Sequence, residues 1–447
     1  MTRMSRATRR RAALPRFTRR GAALLICGVL LFSITPWFDL RDLMLLAFIG
    51  ILLPVVALGY VFVRTPSLAV RRTFEPAVVG AGGSARVLLA VQNRGRRALD
   101  SADWRDTAPN RLQTPPEAIL PALGPWERLM PRGDDTAKLE YRLRVPYRGV
   151  FEIGPLKVTT TDPFGLASIV REVGTAHELV VTPTVTALDP ALGTAAAVDG
   201  VLHGVQRRTH PNADEFIARE YRHGDPMRRV HWPATARRGE LMVRDEEQRG
   251  DPEARLVVDT TLSGRAGRGA VRSEEDPRHA GFELAMEIAA SVGTHLLERG
   301  FQVRVDRLAD PVHQPLSEAS PDGYRSPGGE HALLEDLARV ENPLLDARHG
   351  ASDDDPAAIP VSHDARMPGY AVLVDPDAAQ VQLLVALRPA LSPAVAFVVP
   401  GVSSRVVEAL EDADWRIVPV RRAADLPEAW SIAGRTRQSA GGGSDAS

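Results

Sequence analysis

The sequence contains very little cysteine and almost no net charge. Cys27 is the only cysteine and lies in an apolar run, which excludes an internal disulfide framework, a cysteine-based zinc cluster and a thiol nucleophile in the soluble part. The formal net charge is -1, and no broad basic stripe occurs beyond the N-terminus, so binding to nucleic acid has no electrostatic basis. The motifs G-x-S-x-G, H-E-x-x-H and G-x-x-x-x-G-K-[ST] are also missing, which removes common hydrolase and nucleotide-binding machinery.

The chain is long enough to form several domains. Its 447 residues exceed what one hydrophobic core usually organises. Apolar residues make up 44% and charged residues 25%, as in ordinary folded proteins. We therefore predict a multidomain protein in which the bulk of the chain folds around buried cores.

The N-terminal segment carries the strongest physical signal. Residues 1–20 contain eight arginines and no acid, and we interpret them as a basic cytoplasmic tail. Two apolar runs within residues 21–65 are each long enough to cross a hydrocarbon core of about 30 Å, and a short connector between them predicts a transmembrane helical hairpin. By the positive-inside rule, the tail and Arg64, Arg71 and Arg72 place both ends of the hairpin, and the soluble region, in the cytoplasm of a multi-pass cell-membrane protein. A cleaved signal peptide and a buried soluble hairpin are the alternatives.

The hydrophobic pattern changes to a period of two after the hairpin. Alternation over residues 85–91 and 138–145, separated by glycine-rich and proline-rich turns, is typical of half-buried strands. We predict an antiparallel β-sandwich over residues 66–190. Its role is either that of a spacer near the membrane or that of a binding module that uses its loops.

Strand-like and helical patterns alternate over residues 251–433. Such alternation predicts an α/β domain with a mostly parallel sheet and helices on both faces. Residues 308–328 and 348–366 are rich in Pro, Asp, Ser and Gly and are interpreted as exposed insertions, and residues 434–447 as a disordered tail. Ligands of such sheets bind at the carboxyl ends of the strands.

A candidate cation site follows the first apolar strand of this domain. Asp259, Thr261 and Ser263 stand at alternate positions and can offer three oxygen ligands to a hard divalent cation such as Mg²⁺. The alternative is that Asp259 and Thr260 cap the turn by bonding to backbone N–H groups. If the three residues do bind Mg²⁺, Asp259→Ala is expected to abolish partner binding and to leave the fold in place.

Residues 205–250 form a segment dense in charged residues between the two soluble domains. Their arginines and glutamates predict a structural network of ion pairs, with Trp232 anchored in a core. The alternative is a membrane-bound hydrolase in which His223, Asp225 and His231 provide an acid–base group. Intact function after substitution of both histidines would argue against the hydrolase.

The pattern R-E-Y-x-x-G-D-x-x-R-x-x-x-W-x-x-x-A-R in this segment resembles the signature of the bacterial domain of unknown function 58 family. The matching residues are Arg219, Glu220, Tyr221, Gly224, Asp225, Arg228, Trp232, Ala236 and Arg237. Residues 148–151, 162–166 and 181–183 are also similar to the family. The resemblance covers most of residues 20–265, and Pro233 departs from it because the family often has lysine there.

The resemblance implies a von Willebrand factor A-like fold for the C-terminal half. It also implies that Asp259, Thr261 and Ser263 form a metal-ion-dependent adhesion site for Mg²⁺ or a similar cation, although the family motif has serine where Thr261 stands. Asp375 is the best candidate for a further ligand. The function implied is that of a membrane-anchored, non-enzymatic adaptor that binds a protein partner, works with a MoxR-type AAA+ ATPase in envelope or complex assembly, and has no nucleic-acid partner.

Overall fold

The computed structural model divides into two compact units, Met1–Val181 and Thr182–Ser447. The residues that it describes are 14–38, 41–100, 102–109, 112–126, 134–189, 218–220, 230, 232–244, 252–260, 277–308, 314–341 and 367–434. The chain is therefore a multidomain protein that contains β-sheets and a C-terminal α/β region, as its patterns predict.

The strands of the first unit pair in three sheets. They are β1 (Arg16–Phe17), β2 (Leu68–Glu75), β3 (Val78–Gly80), β4 (Ser84–Asn93), β5 (Ala102–Asp106), β6 (Ala118–Leu120), β7 (Thr136–Arg144), β8 (Gly149–Ile153), β9 (Leu156–Thr161), β10 (Ala167–Val173) and β11 (His177–Thr182). The sheet orders are β1-β10-β9-β5-β6, β2-β4-β7 and β3-β11-β8. Strands from all three sheets bury alternate side chains, among them Val87, Val158 and Leu179, in one core. This arrangement agrees with the predicted antiparallel sandwich.

A buried polar network crosses that core. The guanidinium of Arg72 makes two hydrogen bonds to Asp106, of 3.1 Å from Nε to Oδ2 and 2.6 Å from Nη2 to Oδ1. The Tyr141 hydroxyl donates a third hydrogen bond, of 2.6 Å, to the same carboxylate. Because the Arg72 and Asp106 side chains are fully buried, each charge depends on the other for its stability.

The two predicted apolar helices are present, as α1 (Arg19–Ile34) and α2 (Arg41–Val63). Both are long and apolar enough to cross a membrane, and only 17% and 28% of their most apolar stretches are buried in the protein. They pack side by side at two glycines. A Cβ on Gly28 would lie 2.8 Å from the carbonyl carbon of Gly50, so only glycine permits this close approach.

The first helix begins against the turn that joins β9 to β10. Thr18 caps α1 by accepting a hydrogen bond from the Gly21 amide, and its hydroxyl donates to the Gly165 carbonyl at 2.6 Å. A Cβ on Gly21 would lie 2.0 Å from the Leu166 carbonyl oxygen, which shows how closely the helix approaches the turn. Asp162 shapes this turn by accepting bonds from the amides of residues 164, 166 and 167.

The second helix ends against β10 of the same sheet. The guanidinium of Arg171 donates to the carbonyl oxygens of Val61, Phe62 and Arg64 at 3.3–3.4 Å. These carbonyls close the last turn of α2, where a positive charge is stabilising. The two ends of the hairpin that lie on the same side are therefore both attached to the β9–β10 part of the sandwich.

The second unit contains a six-stranded sheet. Its strands are β14 (Glu253–Val258), β15 (Gln302–Arg307), β16 (Gln314–Pro315), β17 (Met367–Leu373), β18 (Leu391–Val398) and β19 (Arg416–Pro419), in the order β16-β15-β14-β17-β18-β19. All neighbouring pairs are parallel except β15 with β16. The predicted, mostly parallel sheet is thus confirmed.

Helices cover both faces of this sheet. They are α4 (Pro277–Glu298), α5 (Gly329–Arg339), α6 (Ala378–Leu387), α7 (Ser404–Asp412) and α8 (Leu426–Gly434), and a short α3 (Trp232–Arg238) precedes them. Leu256 and Val258 of β14 join the core beneath α4, α5 and α8, whereas Val257 between them joins the core beneath α6 and α7. Burial on both faces explains why β14 and β17 are almost continuously apolar.

One predicted insertion is partly inside the fold. Within residues 308–328, β16 pairs with β15, and the side chains of Leu316 and Tyr324 are each only 3% exposed. The prediction of an exposed insertion therefore holds only in part for this segment: residues 318–319, 321–322 and 325–328 are exposed, whereas Leu316 and Tyr324 pack against the edge of the sheet. The second predicted insertion, residues 348–366, and the tail after Gly434 lie outside the described residues.

Candidate functional site

The candidate site lies where the strand order of the parallel sheet reverses. From β14 the chain continues to β15 on one side, and the later β17 pairs on the other side. The carboxyl ends of β14 and β17 therefore lie at the topological switch point, which is the position where open α/β sheets bind ligands. Asp259 follows β14 and Asp375 follows β17 by two residues; these side chains belong to residues 0% and 6% exposed.

The carboxylate of Asp259 is bonded to the end of the neighbouring strand. Its Oδ2 accepts hydrogen bonds from the backbone N–H of Val374 at 3.1 Å and of Asp375 at 2.7 Å. Its own N–H donates to the Val372 carbonyl at 2.9 Å. The side chain thus ties the two central strands together at their carboxyl ends by charge-assisted hydrogen bonds.

The bonds of Asp259 correct the expectation that Asp259→Ala leaves the fold unaffected. The carboxylate of Asp259 accepts backbone hydrogen bonds, as the capping alternative supposes, although from β17 rather than from its own turn. Removing it leaves two buried N–H groups without this acceptor, so Asp259→Ala is not expected to leave stability unchanged. A cation role stays a prediction, since the capping bonds and a ligand role can coexist on one carboxylate.

The oxygen donors suit a hard cation. Asp259, Thr260 and Asp375 are all buried at adjacent strand ends, and oxygen is the ligand type that Mg²⁺ and Ca²⁺ prefer. The other two predicted ligands, Thr261 and Ser263, lie outside the described residues. Among the residues that are described, no group of three or more His, Cys, Asp or Glu could hold a metal ion, so a complete site depends on those two hydroxyls.

The apolar pattern over residues 381–387 predicts a short helix, and the structure confirms it as α6 but places its start three residues earlier, at Ala378. Asp377 and Gln380 form a capping box at the start of α6, with bonds of 2.9 Å in both directions. Gln380 Nε2 also donates to the Leu308 carbonyl at 2.7 Å, which ties α6 to the end of β15. The spacing of Asp377 and Gln380 is a recognisable N-terminal signal that could have located this helix start.

The structure describes only part of the signature segment. Arg219 and Glu220 lie in β12 (Ala218–Glu220), which pairs antiparallel with β13 (Met242–Arg244). Arg237 stands exposed in the last turn of α3. The remaining predicted positions lie outside the described residues: Tyr221, His223, Gly224, Asp225, Arg228 and His231. The predicted ion-pair network and the alternative acid–base group of a hydrolase therefore both stay predictions.

Trp232 does not occupy a core. Its side chain is 62% exposed at the start of α3, which contradicts the expectation that it anchors the segment. Val230 and Met242 are the buried apolar residues here, at 8% and 1% exposed. The Thr235 hydroxyl also accepts a hydrogen bond of 3.0 Å from the Met242 amide, which fixes α3 to β13. The exposed indole is therefore accessible to solvent and to a binding partner.

These features define a multidomain protein with a parallel α/β region whose candidate site is at the switch point. The family model described as "Protein of unknown function DUF58" matches residues 217–310. The match spans the signature, β14, α4 and β15, and so includes Asp259. It supports the resemblance read from the signature residues.

The other comparisons add little. No curated protein matches the chain. Among solved structures, the CARDB domain of a Pyrococcus furiosus protein is 17% identical, over 26% of this chain and 90% of that one, with a TM-score of 0.18. The Pseudomonas fluorescens alkylpurine DNA glycosylase AlkC is 10% identical, over 34% of this chain and 41% of that one, with a TM-score of 0.17. Likenesses at these TM-scores carry no argument about fold or function.

Proposed function

We propose that this chain is a membrane-anchored, non-enzymatic interaction protein that binds a protein partner at the carboxyl edge of its parallel sheet, with a divalent cation in the contact. The observation that carries the proposal is the placement of two buried aspartates, Asp259 and Asp375, at the adjacent strand ends where the strand order reverses. Five parallel strands with helices on both faces support a von Willebrand factor A-like fold for this region.

The exposed helical hairpin supports membrane anchoring. A core helix of a soluble protein would be largely buried, whereas most of the apolar surface of α1 and α2 is exposed. The attachment of both hairpin ends to the sandwich supports a topology in which the sandwich lies on the same side as the arginine-rich tail. That side is the cytoplasm by the positive-inside rule.

The cation would be held by Asp259 together with Thr261 and Ser263. When bound, it would act as a Lewis acid that accepts a carboxylate from the partner. Asp259 would hold its position through its bonds to the β17 backbone, and Gln380 would fix the start of α6 through its bond to the Leu308 carbonyl. The family resemblance suggests a MoxR-type AAA+ ATPase as the partner, in envelope or complex assembly.

Isothermal titration of the full chain with Mg²⁺ tests the cation. Asp259→Asn keeps the shape and an acceptor oxygen but removes the charge, so we expect Mg²⁺ binding in the natural chain and a loss of at least tenfold in this variant. Asp412→Asn, which removes an exposed carboxylate at the end of α7, is the matched control and should bind as the natural chain does. Equal binding by the natural chain and Asp259→Asn would overturn the cation site.

Accessibility labelling tests the topology. Arg86 is exposed on β4, so Arg86→Cys in a Cys27→Ser background places one thiol on the sandwich. An impermeant maleimide should label it in intact cells only after the membrane is permeabilised. Labelling without permeabilisation would place the sandwich outside the cell.

A further inference from the structure

A polar cavity lies where α2 ends and the sandwich begins. Its volume is about 300 Å³. The last turn of α2 lines it through Tyr60, Arg64 follows that turn, and β9 contributes Thr160. If α2 spans a bilayer, this cavity stands at the depth of the lipid headgroups on the side of the sandwich.

The lining is positively charged. Arg64, Arg96 and Arg97 contribute three guanidinium groups, against the single carboxylate of Asp100. Arg64 stacks over the Tyr60 ring at 5.4 Å, and its guanidinium also bonds to the Tyr60 hydroxyl. Guanidinium groups match phosphate oxygens in geometry and charge, so the cavity favours a phosphate-bearing anion.

Hydrogen bonds from the buried Asn93 fix the loop that carries Arg96 and Arg97. Asn93, which is 1% exposed, donates from Nδ2 to the carbonyls of Arg97 at 2.8 Å and Gly124 at 2.9 Å. Its Oδ1 accepts from the Gly95 amide at 2.8 Å. A buried amide that satisfies three backbone groups fixes the path of the loop, so Arg96 and Arg97 stand on a built wall of the cavity.

We propose that this cavity binds the phosphate of an anionic phospholipid headgroup, such as that of phosphatidylglycerol. The arginines neutralise the phosphate, and the acyl chains follow the exposed apolar surface of α2. The proposal rests on the membrane span proposed above. The same chemistry would accept free inorganic phosphate, but the position beside the end of α2 favours the lipid.

Native mass spectrometry of the full chain in dodecyl maltoside, titrated with phosphatidylglycerol, tests the site. Arg96→Gln with Arg97→Gln should weaken binding by roughly fivefold for each charge, hence roughly 25-fold. The control pair Arg86→Gln with Arg142→Gln removes two exposed charges from paired positions on β4 and β7 and should change binding less than twofold.

Each outcome decides between explanations. Equal weakening by the two arginine pairs would show general electrostatic attraction and overturn the site, as would equal binding of phosphatidylcholine. Competition by inorganic phosphate as strong as that by the lipid would assign the cavity to a soluble phosphate instead. A chain that is washed from phosphatidylcholine vesicles by alkaline carbonate would refute the membrane span and this site with it, whereas a retained chain without lipid preference would refute this site alone.

Discussion

Replacing Asp259 with alanine tests the structural role of its carboxylate. The change removes the acceptor of two backbone hydrogen bonds, from Val374 and Asp375, at a fully buried position. Each hydrogen bond to a charged group contributes about 1.5–3 kcal/mol. We therefore expect Asp259→Ala to lower the free energy of unfolding by about 3 kcal/mol, or to lower the melting temperature by about 6–12 °C for a domain of this size.

Thermal unfolding followed by tryptophan fluorescence measures this loss. Trp415 and Trp430 are buried in the two cores of the α/β region and report its unfolding. Asp259→Asn retains an oxygen that can accept weaker, neutral hydrogen bonds, so it should cost only about 1 kcal/mol. The two variants together separate the stabilising bonds from the charge that a cation requires.

Two results would refute this reasoning. The bond energies above predict a fall of several degrees in melting temperature. If Asp259→Ala melts within about 2 °C of the natural chain, the hydrogen bonds to the β17 end do not stabilise the domain. If alanine and asparagine cost the same, the loss comes from the charge alone and not from the acceptor geometry.

Further predictions concern the other elements. Gly28→Ala should destabilise the hairpin in detergent melting because its Cβ would lie 2.8 Å from the backbone of α2, whereas Gly59→Ala, with nothing within 4 Å, should be tolerated. Asp106→Ala should destabilise the sandwich by about 3–5 kcal/mol in denaturant titration because it strands a buried arginine, whereas Glu140→Ala, which breaks an exposed pair, should cost less than about 1 kcal/mol. Burial and a neighbouring arginine charge lower the pKa of His295 from 6.5, so the unfolded chain binds its proton first and stability should fall as the pH drops below 6.5. His295→Phe should reduce that fall, and an unchanged pH profile would contradict the assignment.

Periodicity alone predicted the main elements. The strands β14 and β17 are buried on both faces and are therefore almost continuously apolar. The apolar residues of α4 recur at helical spacing, although residues 288–293 of this helix are all buried. The alternation of β4 arises because its side chains point alternately into the sandwich and outward. In these cases the spacing of apolar residues along the chain follows directly from which side chains are buried in the folded protein.

The remaining features depend on contacts that leave no local pattern. β16 consists of two residues and exists only because it pairs with β15, and the bonds to Asp259 come from a strand end 115 and 116 residues later in the chain. The position of Asp259 was predictable from its place after an apolar strand, but its bonding was not. The exposure of Trp232 was misjudged because a large aromatic residue is usually buried.

The contact between Thr18 and the β9–β10 turn has a consequence for the order of events during synthesis. Thr18 and Gly165 are 147 residues apart in sequence. At about 5–20 residues per second, the ribosome needs roughly 7–30 s to make the chain between them. Throughout that interval the start of α1 lacks the turn against which it packs. If the hairpin spans a bilayer, as proposed above, it therefore enters the bilayer before that turn has been made, and the late strands β9 and β10 complete the attachment afterwards.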